Sequence, residues 1–219
     1  MRTHGVFLRL EGRRCVVVGD DDSAAAKAAA CERAGAEVTV VSGSPGAALG
    51  DGLAAGRWRH LPRAWQPGDL AGAFLAYACV RDPALIAGLR QEAARERVLL
   101  NVLDIPDACD FFAGAAVERG DLAILIGTGG SSPAAASTVR RRLEEAIGDE
   151  YGPFVDILAA LRRRREPAVR AEVLRALCES PLLDLIRRGD AAGVDDLLTG
   201  TAGAGCTLAR LGVDLARAR

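Results

Sequence analysis

The residues of this chain whose types and spacing could do chemistry fall at three points. The first is Gly19-Asp20-Asp21-Asp22-Ser23-Ala24, which follows an apolar run and leads into an Ala-rich stretch. A strand that ends in Gly and runs into a helix is where a dinucleotide pyrophosphate is held. Free N–H groups and the positive end of the helix dipole face the phosphates there. Against the G-x-G-x-x-G/A pattern, the first Gly and the final small residue are present, and Asp21 replaces the middle Gly. Three readings stand open. A dinucleotide binds with the Asp21 side chain turned away, or the loop has lost the cofactor, or the aspartates cap the helix, where each is stabilised by ~0.3–1 kcal/mol. After the next strand, residues 41–44 are Val-Ser-Gly-Ser. They offer no acid for a ribose 2′-hydroxyl and no Arg for a 2′-phosphate. Gly19, Asp21, Asp22, Ser23, Gly43 and Ser44 form the candidate cofactor-binding set.

The second point is Asp104, just past the C-terminal end of an expected strand, where doubly wound folds place their ligands. It either serves such a site or caps the turn at Ile105-Pro106. The third is Thr128-Gly129-Gly130-Ser131-Ser132-Pro133, which brings backbone N–H groups and hydroxyls to a helix start and suits an anion. Arg140, Arg141 and Arg142 follow on that helix, and one or two of them could pair with carboxylates. The plain alternative is a loop before an Arg-rich exposed face. Residues 162–165, also all Arg, read as a solvated face.

The elements that must position these residues are an alternating series. Apolar runs at 14–19, 37–41, 74–79 and 98–103 read as strands, and 58–61 could add a short one. Helical stretches at 23–34, 47–55 and 83–95 separate them, with Gly35 where a C-terminal cap is wanted and Pro83 in a first turn. This order calls for parallel βαβ units and a doubly wound sheet. Beyond residue 113 the pattern changes to a strand at 122–128 and a helix at 133–147. Helices follow at 153–165, 168–178, 182–188 and 192–198, punctuated by Pro167 and Pro181. The Gly/Ala-rich stretch 199–205 reads as loose. The expected organisation is an α/β, Rossmann-like parallel-sheet domain (1–113), a connecting and dimerisation segment (114–150) and a C-terminal helical domain (151–219).

Composition excludes several classes. The chain has 219 residues, half of them hydrophobic, which is enough to bury a sizeable core. A net charge of −1 gives no case for general nucleic-acid binding or a polybasic membrane surface. The cationic residues are Arg throughout except for Lys27. No stretch is long and apolar enough to span a membrane, and no signal peptide is evident. The six cysteines are scattered without a C-x-x-C pair and read as reduced thiols. His4 and His60 are too few for a histidine metal cluster or a Ser-His-Asp triad, and no resident metal is expected. A cytoplasmic location is expected.

Several segments resemble, in order, the precorrin-2 dehydrogenase/sirohydrochlorin ferrochelatase family, which includes the N-terminal module of siroheme synthase. They are Phe7-Leu8-Arg9-Leu10 with Arg13 to Gly19, and Lys27 with Ala34 to Val41. Asn101-Val102-Leu103-Asp104 with Cys109-Asp110-Phe111-Phe112 is similar to the family's N-V-x-D and C-D-F signature. Gly127 to Pro133 with Arg140 to Glu144 is similar to its S-x-G-G-x-S-P segment and following helix. The resemblance covers residues 5–165. It implies NAD-dependent oxidation of precorrin-2 to sirohydrochlorin, in some members also ferrous iron insertion, with Asp104 catalytic. It implies a homodimer that exchanges the segment after the nucleotide domain. Thr128, Gly129, Gly130, Ser131, Ser132 and Arg140 become the candidate substrate-binding set. A carboxylate base suits an oxidation that loses a proton along with a hydride. The alternatives are a chelatase that does not use NAD and a non-catalytic tetrapyrrole-binding protein on the same scaffold.

Overall fold

The computed structural model describes residues 3–164 and 171–215. Arg165, Pro167 and the ends expected at 165 and 168 for two helical stretches lie outside the described residues. The chain divides into two compact units, residues 1–113 and 114–219.

The first unit is built on five parallel strands: β1 (Arg14–Gly19), β2 (Glu37–Val41), β3 (Arg59–Leu61), β4 (Leu75–Cys79) and β5 (Leu99–Val102). Their order is β3-β2-β1-β4-β5, so the chain reverses direction across the sheet between β1 and β4. Ligands of doubly wound sheets bind past the strands' C-terminal ends at such a reversal. β1, β2, β4 and β5 are largely apolar because both faces are covered, whereas β3 at the edge is Arg-His-Leu. Cys15 and Val17 face a core completed by Ala24, Ala28 and Cys31 of α1 (Asp22–Arg33) and Leu49 of α2 (Ala47–Ala54). Val16 and Val18 face the opposite core with Ile86 and Leu89 of α3 (Pro83–Glu96). The small residues of α1 let its axis approach the sheet closely.

The second unit begins with an antiparallel hairpin, β6 (Ala115–Arg119) and β7 (Leu122–Ile126). The sequence reading missed β6, because Ala-Ala-Val-Glu-Arg carries little strand signal. α4 (Pro133–Ala146) packs on the hairpin. Arg119 ties the two together, its Nε donating to the Ile147 carbonyl at 3.1 Å. The helices α5 (Tyr151–Arg163), α6 (Ala171–Cys178), α7 (Leu182–Arg188), α8 (Ala191–Ala202) and α9 (Leu208–Leu211) follow. They enclose a core of Ile157, Leu161, Leu177, Leu182 and Leu198. The stretch expected to be loose from residue 199 is helical to Ala202. Arg164 is not part of a solvated face: its Nη1 donates to the Gly205 carbonyl at 2.9 Å. Among the described residues no helix is long and apolar enough to cross a membrane.

Candidate active site

β1 must end in glycine. Gly19 has φ +151°, and a Cβ there would stand 2.6 Å from the Cys79 carbonyl oxygen of neighbouring β4. The tight turn then hands the chain to α1. Asp21 is the helix N-cap. Its Oδ1 accepts from the Ser23 and Ala24 amides, both at 3.1 Å, and from the Ser23 hydroxyl at 2.5 Å. The Ser23 hydroxyl above all, then the two amides and the charge of nearby Arg81, hold the Asp21 carboxyl below its usual range against the opposing desolvation. Asp22 is exposed in the first turn of the helix.

Asp20, which is not in the candidate cofactor set, points the other way. Its Oδ1 accepts from the Ser42 hydroxyl at 2.5 Å and from the Ser44 amide at 3.2 Å. Its own carbonyl takes the Gly46 amide at 2.6 Å. The turns after β1 and β2 are thereby joined, with Gly43 and Ser44 exposed at the junction. Of the candidate cofactor set, the structure brings Gly19, Asp21, Asp22 and Ser23 to one turn and sets Gly43 and Ser44 beside it through Asp20. Arg81, just past β4, was also missed; only its charge effect on Asp21 reveals it.

Asp104 follows β5, whose Val102 is in register with Ala78 of β4. It has φ +61°, one of two non-glycine residues with positive φ among the described residues. Such backbone strain costs ~1–3 kcal/mol and collects at functional sites. The carboxylate does not cap the short helical turn at Pro106–Ala108, which has no side-chain cap. It has no hydrogen-bond partner among the described residues. What fixes it is the segment behind it. Asn101 Nδ2 donates to the Phe111 carbonyl at 2.8 Å, and the Cys109 thiol lies 3.1 Å from the Val102 carbonyl and 3.2 Å from its amide. Asp110 accepts the Leu100 amide at 2.9 Å and Phe111 meets Tyr77 edge-on at 5.4 Å. The C-D-F run is therefore a brace that closes the loop over β5.

Thr128, Gly129, Gly130, Ser131 and Ser132 belong to the second unit. Thr128 Oγ1 accepts the Ser132 amide at 3.3 Å, Ser131 N donates to the Thr128 carbonyl, and Gly129 and Gly130 both have positive φ. Ser132 caps α4, accepting the Ala135 amide at 3.2 Å. The loop is a compact turn before a helix, with its Ser131, Ser132 and Ala135 amides engaged internally. Arg140 is engaged with Glu144 at 2.6 Å, one turn along the same helix, while Arg141 and Arg142 are exposed. Among the described residues no group of three or more His, Cys, Asp or Glu side chains could hold a metal ion.

A parallel sheet in this order, with a glycine-ended first strand opening onto a helix, defines a Rossmann-like nucleotide-binding protein. The chain belongs to the family described as "Putative NAD(P)-binding", whose model matches residues 6–115. Residues 119–146 match the model described as "Sirohaem biosynthesis protein central". Siroheme synthases are similar to it, as the sequence led us to expect. That of Methylobacillus flagellatus is 36% identical over 162 residues, covering 74% of this chain and 35% of the relative. That of Azotobacter vinelandii is 37% identical over 172 residues, covering 78% and 35%. That of Methylococcus capsulatus is 31% identical over 198 residues, covering 88% and 42%. The chain thus spans well under half the length of these relatives. The solved structure of "SirC, precorrin-2 dehydrogenase" shares the fold, with a TM-score of 0.73 at 20% identity, covering 89% of this chain and 100% of that one.

A dinucleotide fits this turn with one adjustment. The close approach of Gly19 to Cys79 and the reversal of strand order between β1 and β4 match the backbone arrangement such a ligand uses. The Asp21 carboxylate, however, sits on the two α1 amides that a diphosphate would take, so it must swing away.

Proposed function

We propose that the chain oxidises precorrin-2 to sirohydrochlorin, using NAD, in cytoplasmic siroheme synthesis. The observation that carries this reading is Asp104, a strained and unpartnered carboxylate at the C-terminal end of β5, on an NAD(P)-binding scaffold. Gly19, the α1 N-terminus and the 42–44 loop would hold the cofactor, and NAD when bound supplies the hydride acceptor. Asp104 offers both carboxylate oxygens to the proton that the macrocycle loses, since no group among the described residues competes for them. The Asn101 and Cys109–Phe111 contacts keep it there at no further ordering cost during the reaction. In the second unit, the 128–132 turn and Arg140 to Arg142 suit acetate and propionate arms.

A homodimer is part of the proposal. The β6–β7 hairpin has only two strands, and such hairpins are marginal alone. Leu125 and Val139 are 43% and 44% exposed on it and on α4.

A second reading is favoured by Asp21: a chelatase that inserts ferrous iron as substrate without NAD, with Asp104 accepting the macrocycle N–H protons. The deciding experiment incubates purified protein with precorrin-2 and NAD anaerobically, following NADH and sirohydrochlorin by absorbance, then adds ferrous iron to sirohydrochlorin without NAD. NADH formation that is lost in Asp104→Asn supports the dehydrogenase. Iron insertion without any NADH formation supports the chelatase.

A further inference from the structure

We propose that Asp20 sets the choice between the two dinucleotides, admitting a free adenosine-ribose 2′-hydroxyl and rejecting a 2′-phosphate. The inference rests on the dinucleotide reading of the 19–24 turn and concerns only its adenosine side. In doubly wound sheets the ribose lies at the end of the second strand, where an acid commonly reads the 2′-hydroxyl and an Arg accommodates a 2′-phosphate. Here β2 is followed by Ser42-Gly43-Ser44, without an acid. Val18 of β1 pairs in register with Val41 of β2, so residues 20 and 42–44 lie side by side past the strand ends. Asp20 closes that gap, its Oδ1 bonded to the Ser42 hydroxyl at 2.5 Å and the Ser44 amide at 3.2 Å. The acid absent from the end of β2 in sequence is supplied in space from β1.

Two basic residues that border this loop, Arg63 and His60, are already engaged. Gly43 lies against the backbone of Arg63, whose guanidinium grips Asp69 by two bonds of 2.7 Å. His60 Nε2 lies 3.0 Å from the Ser42 carbonyl, so its proton is directed there. A 2′-phosphate would therefore meet an exposed carboxylate at this loop, with Arg63 and His60 both committed elsewhere.

Asp20→Asn is the discriminating variant, because its amide oxygen keeps an acceptor for Ser42 and Ser44 while the charge goes. NAD and NADP binding to the intact protein and to the variant is measured by calorimetry at low salt. The parent is expected to prefer NAD. The variant is expected to narrow the preference by about tenfold, mainly by tightening NADP; this is the repulsion of one charge and a phosphate dianion ~6 Å apart in a water-like dielectric. Asp20→Ser gives the same shift if charge is the cause and serves if Asn impairs folding. A parent that binds both dinucleotides equally overturns the inference, as does an unchanged ratio in both variants, while the NAD reading stands. Binding of neither dinucleotide by any of the proteins overturns that reading and the inference with it.

Discussion

Replacing Asp21 by Gly should tighten NAD binding, because the carboxylate and the diphosphate need the same donors. Asp21 Oδ1 is 3.1 Å from both the Ser23 and the Ala24 amide. A phosphate oxygen accepting from those amides would overlap it, so the side chain must leave its cap before the diphosphate settles. Loss of an Asp N-cap costs ~1 kcal/mol. Once swung out, the carboxylate remains ~6 Å from the diphosphate. There two unit charges repel by ~0.7 kcal/mol in water and ~3 kcal/mol at an effective dielectric constant of 20. Asp21 is exposed, which favours the lower figure. The sum is ~1.7 kcal/mol, or some twentyfold in affinity.

Asp21→Asn separates the two contributions. Asn caps about as well as Asp, so only the repulsion is removed and the gain should be a few-fold. Calorimetric titration with NAD, at low and high salt, reads both. The charge-derived part should shrink as salt rises, and the cap-derived part should persist. In the Gly variant the helix should lose only a few tenths of a kcal/mol of stability, since Gly is itself a tolerable N-cap. Unchanged NAD affinity in Asp21→Gly at low salt would refute the shared-donor argument. It would leave Asp21 as a helix cap with no bearing on the ligand.

Asp104→Asn should lower precorrin-2 oxidation by ~10²–10⁴ with an unchanged melting curve, because the amide cannot accept the proton. Asp104→Gly should be equally inactive yet up to about 1 kcal/mol more stable, since Gly occupies positive φ without strain. Gly19→Ala should destabilise by ~1–3 kcal/mol in denaturant titration, its new Cβ meeting the Cys79 carbonyl. The Arg63 guanidinium holds the Asp69 carboxyl below its usual range, so its contribution is present above the unfolded pKa near ~4 and is lost as pH falls through the lower folded value. The parent should thus lose stability below about pH 4 more steeply than Asp69→Asn, a difference that melting temperatures across pH would reveal. Light scattering should give a dimer at micromolar concentration that Leu125→Asp weakens; a monomeric parent would remove the dimer proposal.

Much of this was legible from residue types alone, for a physical reason. Strands buried on both faces are uninterrupted apolar runs, so β1, β2, β4 and β5 are marked in sequence without reference to their neighbours. β6 is not, because its Ala, Glu and Arg residues are held extended by pairing with β7 rather than by their own preference. The C-D-F run shows the same limit. Its order in the chain suggested a resemblance, but that Cys109 and Asp110 brace β5 depends on the loop folding back onto the strand.

The three consecutive aspartates after Gly19 show where sequence reading stops. Composition makes them one acidic cluster, and the motif comparison singles out only Asp21. The backbone separates them, because adjacent residues in a tight turn send their side chains in different directions. Asp21 folds forward onto α1 and closes the diphosphate's donors, whereas Asp20 reaches sideways to β2 and supplies the acid that strand lacks. On the proposal made above, one carboxylate would weaken the ligand and the other would select it. That division follows from β1 lying next to β2 in a parallel sheet, a fact of topology that neither residue carries by itself. The two substitutions are therefore expected to act independently: Asp21→Gly on affinity for both dinucleotides, and Asp20→Asn on the ratio between them. Equal effects on both quantities from either substitution would mean that the aspartates act as a single acidic patch.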